Sequence, residues 1–234
     1  MKKTMRKVAI LQSSFLPWKG YFDIANSVDQ FVFFDCVQFT KRNWRTRNYI
    51  KTPDGMKLIN IPVNATTSLS INEITIERSQ KWELKTKKAF EFNYRKAPFF
   101  DKFSFILDKL FENQKWLFLS DFNQFSIKYL SNILGIKTEF IDSRKLNLEG
   151  TKTDRLIDAL TKLNADIYLS GPSAQDYIEE EKFRKEGIQL DYMDYSNYPE
   201  YPQLWGDFEH KVSILDLIFS IGQDAQYYIW GWRD

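Results

Sequence analysis

The sequence predicts an α/β fold: a mainly parallel, Rossmann-like sheet with flanking helices, an attached β-hairpin and a helical insertion. Short apolar runs such as Val8–Leu11 and Phe31–Phe34 end at polar turns and alternate with segments of helical spacing. This alternation is typical of parallel sheets whose strands are joined by helices. Because no repeat or linker interrupts the chain, we expect a single domain over residues 1–234, with the helical insertion at about 79–134.

The first unit is predicted to be strand, helix, strand. The strand Val8–Leu11 ends in the polar turn Gln12–Ser14, and a helix is expected to begin near Tyr21. The second strand, Phe31–Phe34, stops at Asp35. Both strands are therefore followed by polar residues that are expected to lie at the same edge of the sheet.

A β-hairpin is predicted next. Thr52–Gly55 is a strong turn signal, and apolar and polar residues alternate through Lys57–Val63. Pro62 is expected to end the second strand of the hairpin or to place it at an edge. Ile71–Ile76 is a further short strand candidate. The insertion then holds three predicted helices, over Gln80–Tyr94 with Ser79 as its cap, Pro98–Asn113 and Ser120–Leu134.

The rest of the chain returns to alternating strands and helices. The predicted strands are Lys137–Ile141, Asp166–Leu169 and Ile188–Met193. The predicted helices are Asp154–Leu163, Ala174–Lys185 and Val212–Ile221, the last ended by Gly222. The segment between the last strand and the last helix is dense in Tyr and Pro and is expected to be irregular.

Composition narrows the classes of function. A net charge of +2 is too small to indicate nucleic-acid binding. The stretch that mixes basic and aromatic residues would nevertheless also suit single-stranded nucleic acid, whose bases stack on aromatic rings. One cysteine, Cys36, and one histidine, His210, argue against a structural metal site, so no metal is expected. The single cysteine fits a reducing compartment, and no apolar stretch is long enough to span a bilayer. We therefore expect a cytoplasmic protein.

In open parallel sheets, ligands bind beyond the carboxyl ends of the strands. This rule selects Gln12–Gly20, Asp35–Asn48, the stretch after Ile141 and the turn Ser170–Ser173. Turns that lead from a strand into a helix offer backbone N–H groups to a phosphate. The sequence contains neither GxGxxG nor GxxxxGK[ST], so it predicts no standard dinucleotide or P-loop site.

A cationic stretch after the second strand indicates an anionic ligand. Arginine suits bidentate contacts with phosphate or carboxylate, while Gln38 and Asn48 can bind hydroxyls. The alternative is a solvated basic edge with Trp44 and Tyr49 packed beneath it. The cations are Lys41, Arg42, Arg45, Arg47 and Lys51.

The candidate catalytic residues are Asp35, His210 and Gln12. Asp35 follows a strand directly, and a histidine pKa lies near the working pH, so either residue could move a proton. Gln12 would orient the substrate. The alternative for His210 is a structural or exposed position near the start of a helix.

The turn Ser170–Ser173 separates a predicted strand from a predicted helix, with Asp176 and Tyr177 in its first turn. Ser173 fits an N-cap and a phosphate ligand equally well. Asp216 lies in an otherwise apolar helix, and a buried carboxylate there needs a partner. One of the sheet-edge cations would supply that partner.

Several motifs together resemble the WbqC-like family of bacterial proteins, in the expected order and over nearly the whole chain. At the first turn the family typically has Gln-Pro-Asn-Tyr where this chain has Gln12-Ser13-Ser14-Phe15. Roles that need the Asn amide or the Tyr hydroxyl therefore do not carry over, whereas Gln12 and the core Pro17–Tyr21 do. The matching stretches are Gln12 with Phe15–Asp23, Asp35–Phe39 with Lys41–Lys51, Leu169–Tyr177, Tyr198–Gln203 and His210–Phe219.

The family is associated with gene clusters for O-antigen and other surface polysaccharides. The resemblance therefore implies an enzyme acting on a nucleotide-linked sugar, most plausibly by transfer of an acyl or aminoacyl group to an amino sugar. The alternative is a non-catalytic binding or assembly protein of the same pathway. ATP and an acyl donor are the candidate co-substrates. The expected substrate-binding residues are Trp18, Tyr21, Gln38, Lys41, Arg42, Arg45, Arg47, Asn48, Ser170, Gly171, Ser173, Asp176 and Tyr177.

Overall fold

The computed structural model describes residues 5–66, 68–112, 115–176 and 178–233. In chain order the strands are β1 (Lys7–Leu11), β2 (Gln30–Phe33), β3 (Arg47–Thr52), β4 (Gly55–Asn60), β5 (Val63–Asn64), β6 (Thr75–Ile76), β7 (Glu139–Asp142), β8 (Ile167–Ser170) and β9 (Gln189–Tyr192). The α-helices are α1 (Lys19–Asn26), α2 (Trp82–Tyr94), α3 (Phe100–Phe103), α4 (Phe105–Phe111), α5 (Leu119–Ile133), α6 (Lys152–Lys162), α7 (Glu180–Lys185) and α8 (Ile214–Ile221).

Five strands form one parallel sheet in the order β7-β2-β1-β8-β9. Ala9 in β1 lies opposite Phe31 of β2 on one side and Leu169 of β8 on the other. Numbered along the chain, these strands follow the order 3-2-1-4-5 of a Rossmann-like sheet. The predicted fold class is confirmed.

The sheet is buried on both faces because alternate side chains of its strands enter two different cores. Val8 and Val32 pack with Leu160 of α6 and Phe183 of α7. The neighbouring strand residues, such as Ala9 and Phe31, join a larger core that includes residues of α1, α5 and α8. Each fully buried large apolar side chain contributes roughly 1.5–3 kcal/mol. The helices are thereby fixed on opposite faces of the sheet.

The connection from β2 to β7 carries two antiparallel hairpins, β3–β4 and β5–β6, and the helices α2 to α5. The first is the predicted hairpin, with Ile50 opposite Lys57. The strand expected over Ile71–Ile76 begins instead as a 3-10 turn at Ile71–Glu73, and only Thr75–Ile76 of this stretch forms a strand.

The ends of several helices differ from the predicted ones. Ser79 does not cap α2, because the residue before the helix is Lys81, which has a φ of 48°. The helix predicted over 98–113 is divided into α3 and α4 at Ser104. Ser213 caps α8 by accepting a hydrogen bond from the Leu215 N–H, and Gly222 with a φ of 69° ends it as expected.

The predicted helix Ala174–Lys185 is also divided. Pro172–Asp176 forms a 3-10 turn and α7 begins at Glu180, while Tyr177 lies outside the described residues. No helix in the described ranges combines the length and apolarity needed to cross a bilayer.

Candidate functional site

The strand order places a topological switch point, where sheets of this kind form a crevice, between the carboxyl ends of β1 and β8. From β1 the chain passes to α1 on one face of the sheet, whereas from β8 it passes to α7 on the other. Ligands of open α/β sheets bind at such a switch point. Gln12 follows β1 and Gly171 follows β8 at this place. A Cβ atom on Gly171 would meet no atom within 4 Å, so the backbone there borders open space.

Asp35 connects the turns that follow β1 and β2. Its Oδ1 accepts a hydrogen bond from the Ser13 N–H at 2.8 Å, and its Oδ2 accepts one from Gln124 Nε2 at 3.0 Å. The side chain is completely buried, and burial raises the pKa of Asp35 although these hydrogen bonds oppose the shift. Asp35 is thus hydrogen-bonded to the residue that follows Gln12, and its carboxylate is enclosed by the protein rather than exposed to solvent.

Asp142 is the last residue of β7 and lies opposite Phe33, the last residue of β2. Arg144 donates to it from its backbone N–H at 2.9 Å and from Nε at 2.8 Å. Burial would raise the pKa of Asp142, but the contacts with Arg144 outweigh this effect and leave the pKa lowered. Gln124 also hydrogen bonds toward this carboxylate, so one amide from α5 serves both acidic residues of the sheet edge.

Asn48 attaches the cationic loop to the turn after β1. Its Nδ2 donates to the carbonyl oxygens of Leu16 at 2.6 Å and Phe15 at 3.3 Å. The Phe15 N–H donates to the carbonyl oxygen of Trp44 at 2.8 Å. Asn48 is 4% exposed, so its amide is committed to the backbone of this turn.

Tyr21 and Arg45 lie close together beside the same turn. Tyr21 Oη donates to the Gln12 carbonyl oxygen at 3.1 Å. Burial and the nearby Asp35 raise the pKa of Tyr21 well above its usual value, whereas the positive charge of Arg45 opposes the shift. Arg45 is half-buried, and its effect on Tyr21 shows that the cationic loop brings positive charge to the turn after β1.

The other predicted cations are distributed differently. Lys41 and Arg42 are exposed and Arg47 is half-buried, whereas Lys51 is buried with its Nζ on the Asp207 carbonyl oxygen. Sequence reasoning missed a further cation, Arg155 of α6. Its Nη1 donates at 3.4 Å to the carbonyl oxygen of Cys36, which lies in the turn that follows β2.

Aromatic side chains border the start of α1. Trp18 packs edge-on against Tyr195 and Tyr198, with ring centroids 5.3 and 6.0 Å apart. A Cβ atom at Gly20 would lie 2.3 Å from Cζ2 of Trp18. Gly20 is therefore needed for the indole to lie across the first turn of the helix.

Lys19 is a buried cation beside this wall. It is 2% exposed, its Nζ donates to the Pro199 carbonyl oxygen at 3.2 Å, and the Tyr198 ring centroid is 4.8 Å away. Burial lowers the pKa of Lys19 to about 8, while the charges of Asp23 and Glu200 partly oppose the shift. Sequence reasoning did not single out Lys19, because nothing in its neighbours along the chain marks it as buried.

Asp23, one turn further along α1, binds a residue from the other end of the chain. Arg233 donates to Oδ1 from Nη1 at 3.0 Å and to Oδ2 from Nη2 at 2.8 Å, and Tyr198 Oη also donates to Oδ2. The Asp23 side chain is completely buried. This arrangement fixes α1 to the last described turn of the protein.

His210 lies near Lys19, the first residue of α1. Its ring is 4.6 Å from that of Phe208 and 6.3 Å from that of Tyr198. Burial and the charge of Lys19 lower the pKa of His210. In the part of the chain that the structure describes, the hydrogen bonds of Asp35 come from Ser13 and Gln124 and not from His210.

The turn after β8 is partly structural. Ser170 is 4% exposed, and its hydroxyl donates to Tyr168 Oη at 3.3 Å. Ser173 and Asp176 are exposed on the 3-10 turn. Gln38 lies in the loop between β2 and β3, where it is exposed and its backbone forms an antiparallel bridge with Ser70.

Asp216 has its partners elsewhere. Tyr94 Oη donates to its Oδ2 at 2.7 Å, while Tyr201 Oη and Gln203 Nε2 donate to its Oδ1 at 2.7 and 2.8 Å. The predicted partner was a sheet-edge cation, but the described residues satisfy Asp216 with two phenols and an amide. Burial raises the pKa of Asp216, whereas its three hydrogen-bond donors and the nearby positive charge of Lys51 oppose the shift.

Comparison with known proteins gives one family. The model of the WbqC-like protein family matches residues 12–228. The chain is 39% identical over 227 residues to an uncharacterized protein of Mycobacterium tuberculosis (strain ATCC 25618 / H37Rv). The alignment covers 96% of this chain and 98% of that protein. No solved structure matches it significantly. The chain belongs to the WbqC-like protein family.

Proposed function

We propose that the protein is an enzyme of surface-polysaccharide biosynthesis that acts on a nucleotide-linked sugar. The proposed reaction is transfer of an acyl or aminoacyl group to an amino sugar. The family's association with polysaccharide gene clusters supports the pathway. The observation that carries the proposal is the switch-point crevice, where Gln12 and the open side of Gly171 lie at the carboxyl ends of adjacent strands.

The charges around the crevice suit the diphosphate of such a substrate. Arg45 reaches the turn after β1 from the cationic loop, and Arg155 reaches the end of β2 from α6. Guanidinium groups bind phosphate oxygens in pairs of hydrogen bonds. In the proposal these two side chains hold the diphosphate, and the exposed Lys41 and Arg42 add to the attractive field.

Transfer to an amine requires a group that accepts a proton from the nitrogen. Asp35 is enclosed, so we assign it the role of positioning the turn that carries Gln12. His210 is only half-buried, and its lowered pKa keeps the imidazole neutral, as a general base must be. Gln12 would orient the sugar or acyl group. The acyl group would come from an acyl donor, whose carrier leaves as the C–N bond forms, or from a carboxylate activated by ATP, with release of pyrophosphate.

Filling the open space beside Gly171 tests the crevice. The Gly171 backbone lies outside the left-handed region, so Gly171→Val is expected to fold normally while its side chain enters the binding space. Calorimetry with UDP- and dTDP-linked amino sugars should show affinity reduced at least about tenfold, which is about 1.4 kcal/mol. The matched control is Thr161→Val on the exposed part of α6, which should bind as the wild type does. Equal affinities of Gly171→Val and Thr161→Val would contradict a nucleotide-sugar site beside Gly171.

Removing two cations tests the phosphate contacts. We expect the double variant Lys41→Ala, Arg45→Ala to lose measurable binding of the same nucleotide sugars, because both charges lie on the loop beside the turn. The control is Lys137→Ala, Lys185→Ala, which removes two exposed charges elsewhere. Melting temperatures establish that both variants are folded. An unchanged affinity of the first variant would reject these ligand contacts.

A second candidate function is that of a non-catalytic binding or assembly protein of the same pathway. It is favoured by the enclosure of Asp35 and Asn48, whose polar groups are used within the fold. Turnover distinguishes the two. The protein is incubated with ATP, acyl donors and nucleotide-linked amino sugars, and mass spectrometry follows the sugar. A mass increase supports the enzyme; no change across the panel, together with binding, supports the alternative.

A further inference from the structure

The two outer edges of the β3–β4 hairpin differ in how their backbone groups are used. Ile50 pairs with Lys57, and beyond the last pair the Ile61 N–H donates to the Thr46 carbonyl oxygen at 2.8 Å. In an antiparallel ladder, hydrogen-bonded pairs alternate with pairs whose backbone groups point outward. The backbone groups of Leu58 and Asn60 therefore point away from β3.

The outer edge of β3 is covered. The Tyr49 carbonyl oxygen accepts a hydrogen bond from the Ser213 N–H at 2.9 Å, and the Lys51 N–H donates to Tyr94 Oη at 2.9 Å. Within the described ranges, the outward groups of Leu58 and Asn60 have no such partner. An uncovered strand edge is a template on which another extended chain can pair.

A cleft of about 640 Å³ lies between this free edge and α2. Its walls include Leu58 and Asn60 from β4, and Trp82, Lys85, Lys88 and Phe92 from α2. Leu58 is 41% exposed and Phe92 is 69% exposed, so the cleft presents apolar surface to solvent. Trp82 is 2% exposed, and its indole N–H has no hydrogen-bond partner among the residues described.

The charges of the cleft are all of one sign. Lys57, Lys85 and Lys88 contribute to its lining, and none of its lining residues is acidic. A second copy of the same edge would bring these lysines against their own copies, which disfavours self-pairing. An acidic ligand would instead be complementary. Lysine alone often protects a strand edge from aggregation, but the exposed Leu58 and Phe92 do not serve that purpose.

We propose that the outer edge of β4 and this cleft bind an extended acidic segment of a partner protein, which adds to β4 as a further strand. Backbone hydrogen bonds to Leu58 and Asn60 would supply affinity, as in other cases of strand addition. Carboxylates of the segment would contact the lysines, and its apolar side chains would cover Phe92. This site is separate from the switch-point crevice, and it does not depend on the function proposed there.

The test uses a fluorescent peptide of about ten residues that alternates glutamate with valine, titrated with the full chain and followed by anisotropy. Leu58→Pro removes an outward N–H without removing a hydrogen bond to β3, whereas Leu58→Ala removes the side chain and keeps the N–H. We expect Leu58→Pro to bind at least about tenfold more weakly than Leu58→Ala. Circular dichroism and melting temperature check that both variants are folded.

Charge reversal provides a second measurement. Lys85→Glu with Lys88→Glu should weaken binding at least about tenfold, while Lys137→Glu with Lys185→Glu, which changes the net charge equally, should not. A peptide alternating lysine with valine should not bind. Equal binding by the two Leu58 variants, or a dimer that Leu58→Pro dissociates, would overturn the proposal. Binding of an acidic oligosaccharide in preference to the peptide would also overturn it.

Discussion

Replacing Asp216 with alanine is expected to destabilise the protein by about 3–5 kcal/mol, because two buried phenol hydroxyls lose their acceptor and a partly buried amide loses one of its acceptors. The donors are the hydroxyls of Tyr94 and Tyr201 and the amide of Gln203, all within 2.8 Å of the carboxylate. Urea unfolding followed by circular dichroism measures the change. A loss below about 1 kcal/mol would mean that these groups find other partners.

Asparagine at the same position separates the contributions. Its oxygen can still accept from Tyr201 and Gln203, but its amide faces Tyr94, whose hydroxyl already accepts from the Lys51 N–H. Asp216→Asn is therefore expected to cost less than Asp216→Ala, about 1–3 kcal/mol, mostly at Tyr94. Adding Tyr94→Phe removes the hydroxyl that has lost its acceptor, so the double variant should be more stable than the sum of the single effects predicts.

The titration of Lys19 is expected to add about 2 kcal/mol to the free energy of unfolding between about pH 8 and about pH 10, measured as the difference between the wild type and a variant without this amine. Burial lowers its pKa from 10.5 in the unfolded chain to about 8 in the folded protein. Between these values the unfolded chain binds more protons, so the free energy of unfolding rises with pH. Below about pH 8 the amine is charged in both states, and the cost of burying that charge is fully present.

The control for this prediction is Lys19→Met, which keeps the length of the side chain and removes the titrating group. Chemical unfolding of both proteins across this pH range gives the difference. The buried tyrosines have raised pKa values and lower the stability as pH approaches and passes 10, but they affect both proteins alike and cancel in the difference. Parallel stability profiles for the two proteins would show that Lys19 titrates as it does in water.

Local patterns were sufficient for most of the sheet. The runs that form β1 and β2 are apolar and end at polar residues, and the turn Thr52–Gly55 marks the first hairpin. Helix ends were harder to predict, because they depend on tertiary contacts. Lys81 takes up a left-handed conformation before α2, so the helix starts without the side-chain cap that Ser79 would have supplied.

The candidate site was predictable where its residues directly follow strands, and less so elsewhere. Gln12 and Asp35 could be placed together because parallel strands bring their carboxyl ends to one edge. Gln124 and Arg155 could not, because each lies on a helix whose orientation depends on packing between distant segments. For the same reason, the sequence did not show that Asp35 would be enclosed or that His210 would lie beside Lys19.

The pairing of Asp23 with Arg233 has a consequence for folding during synthesis. The two residues are 210 positions apart, and α1, which carries the carboxylate, leaves the ribosome before Arg233. At a synthesis rate of about 5–20 residues per second, its partner follows roughly 10–40 seconds later. Until then α1 cannot bury Asp23 as a satisfied ion pair, because an unpaired carboxylate must stay in contact with water. The nascent chain therefore keeps part of its first helix accessible to chaperones until Arg233 has emerged.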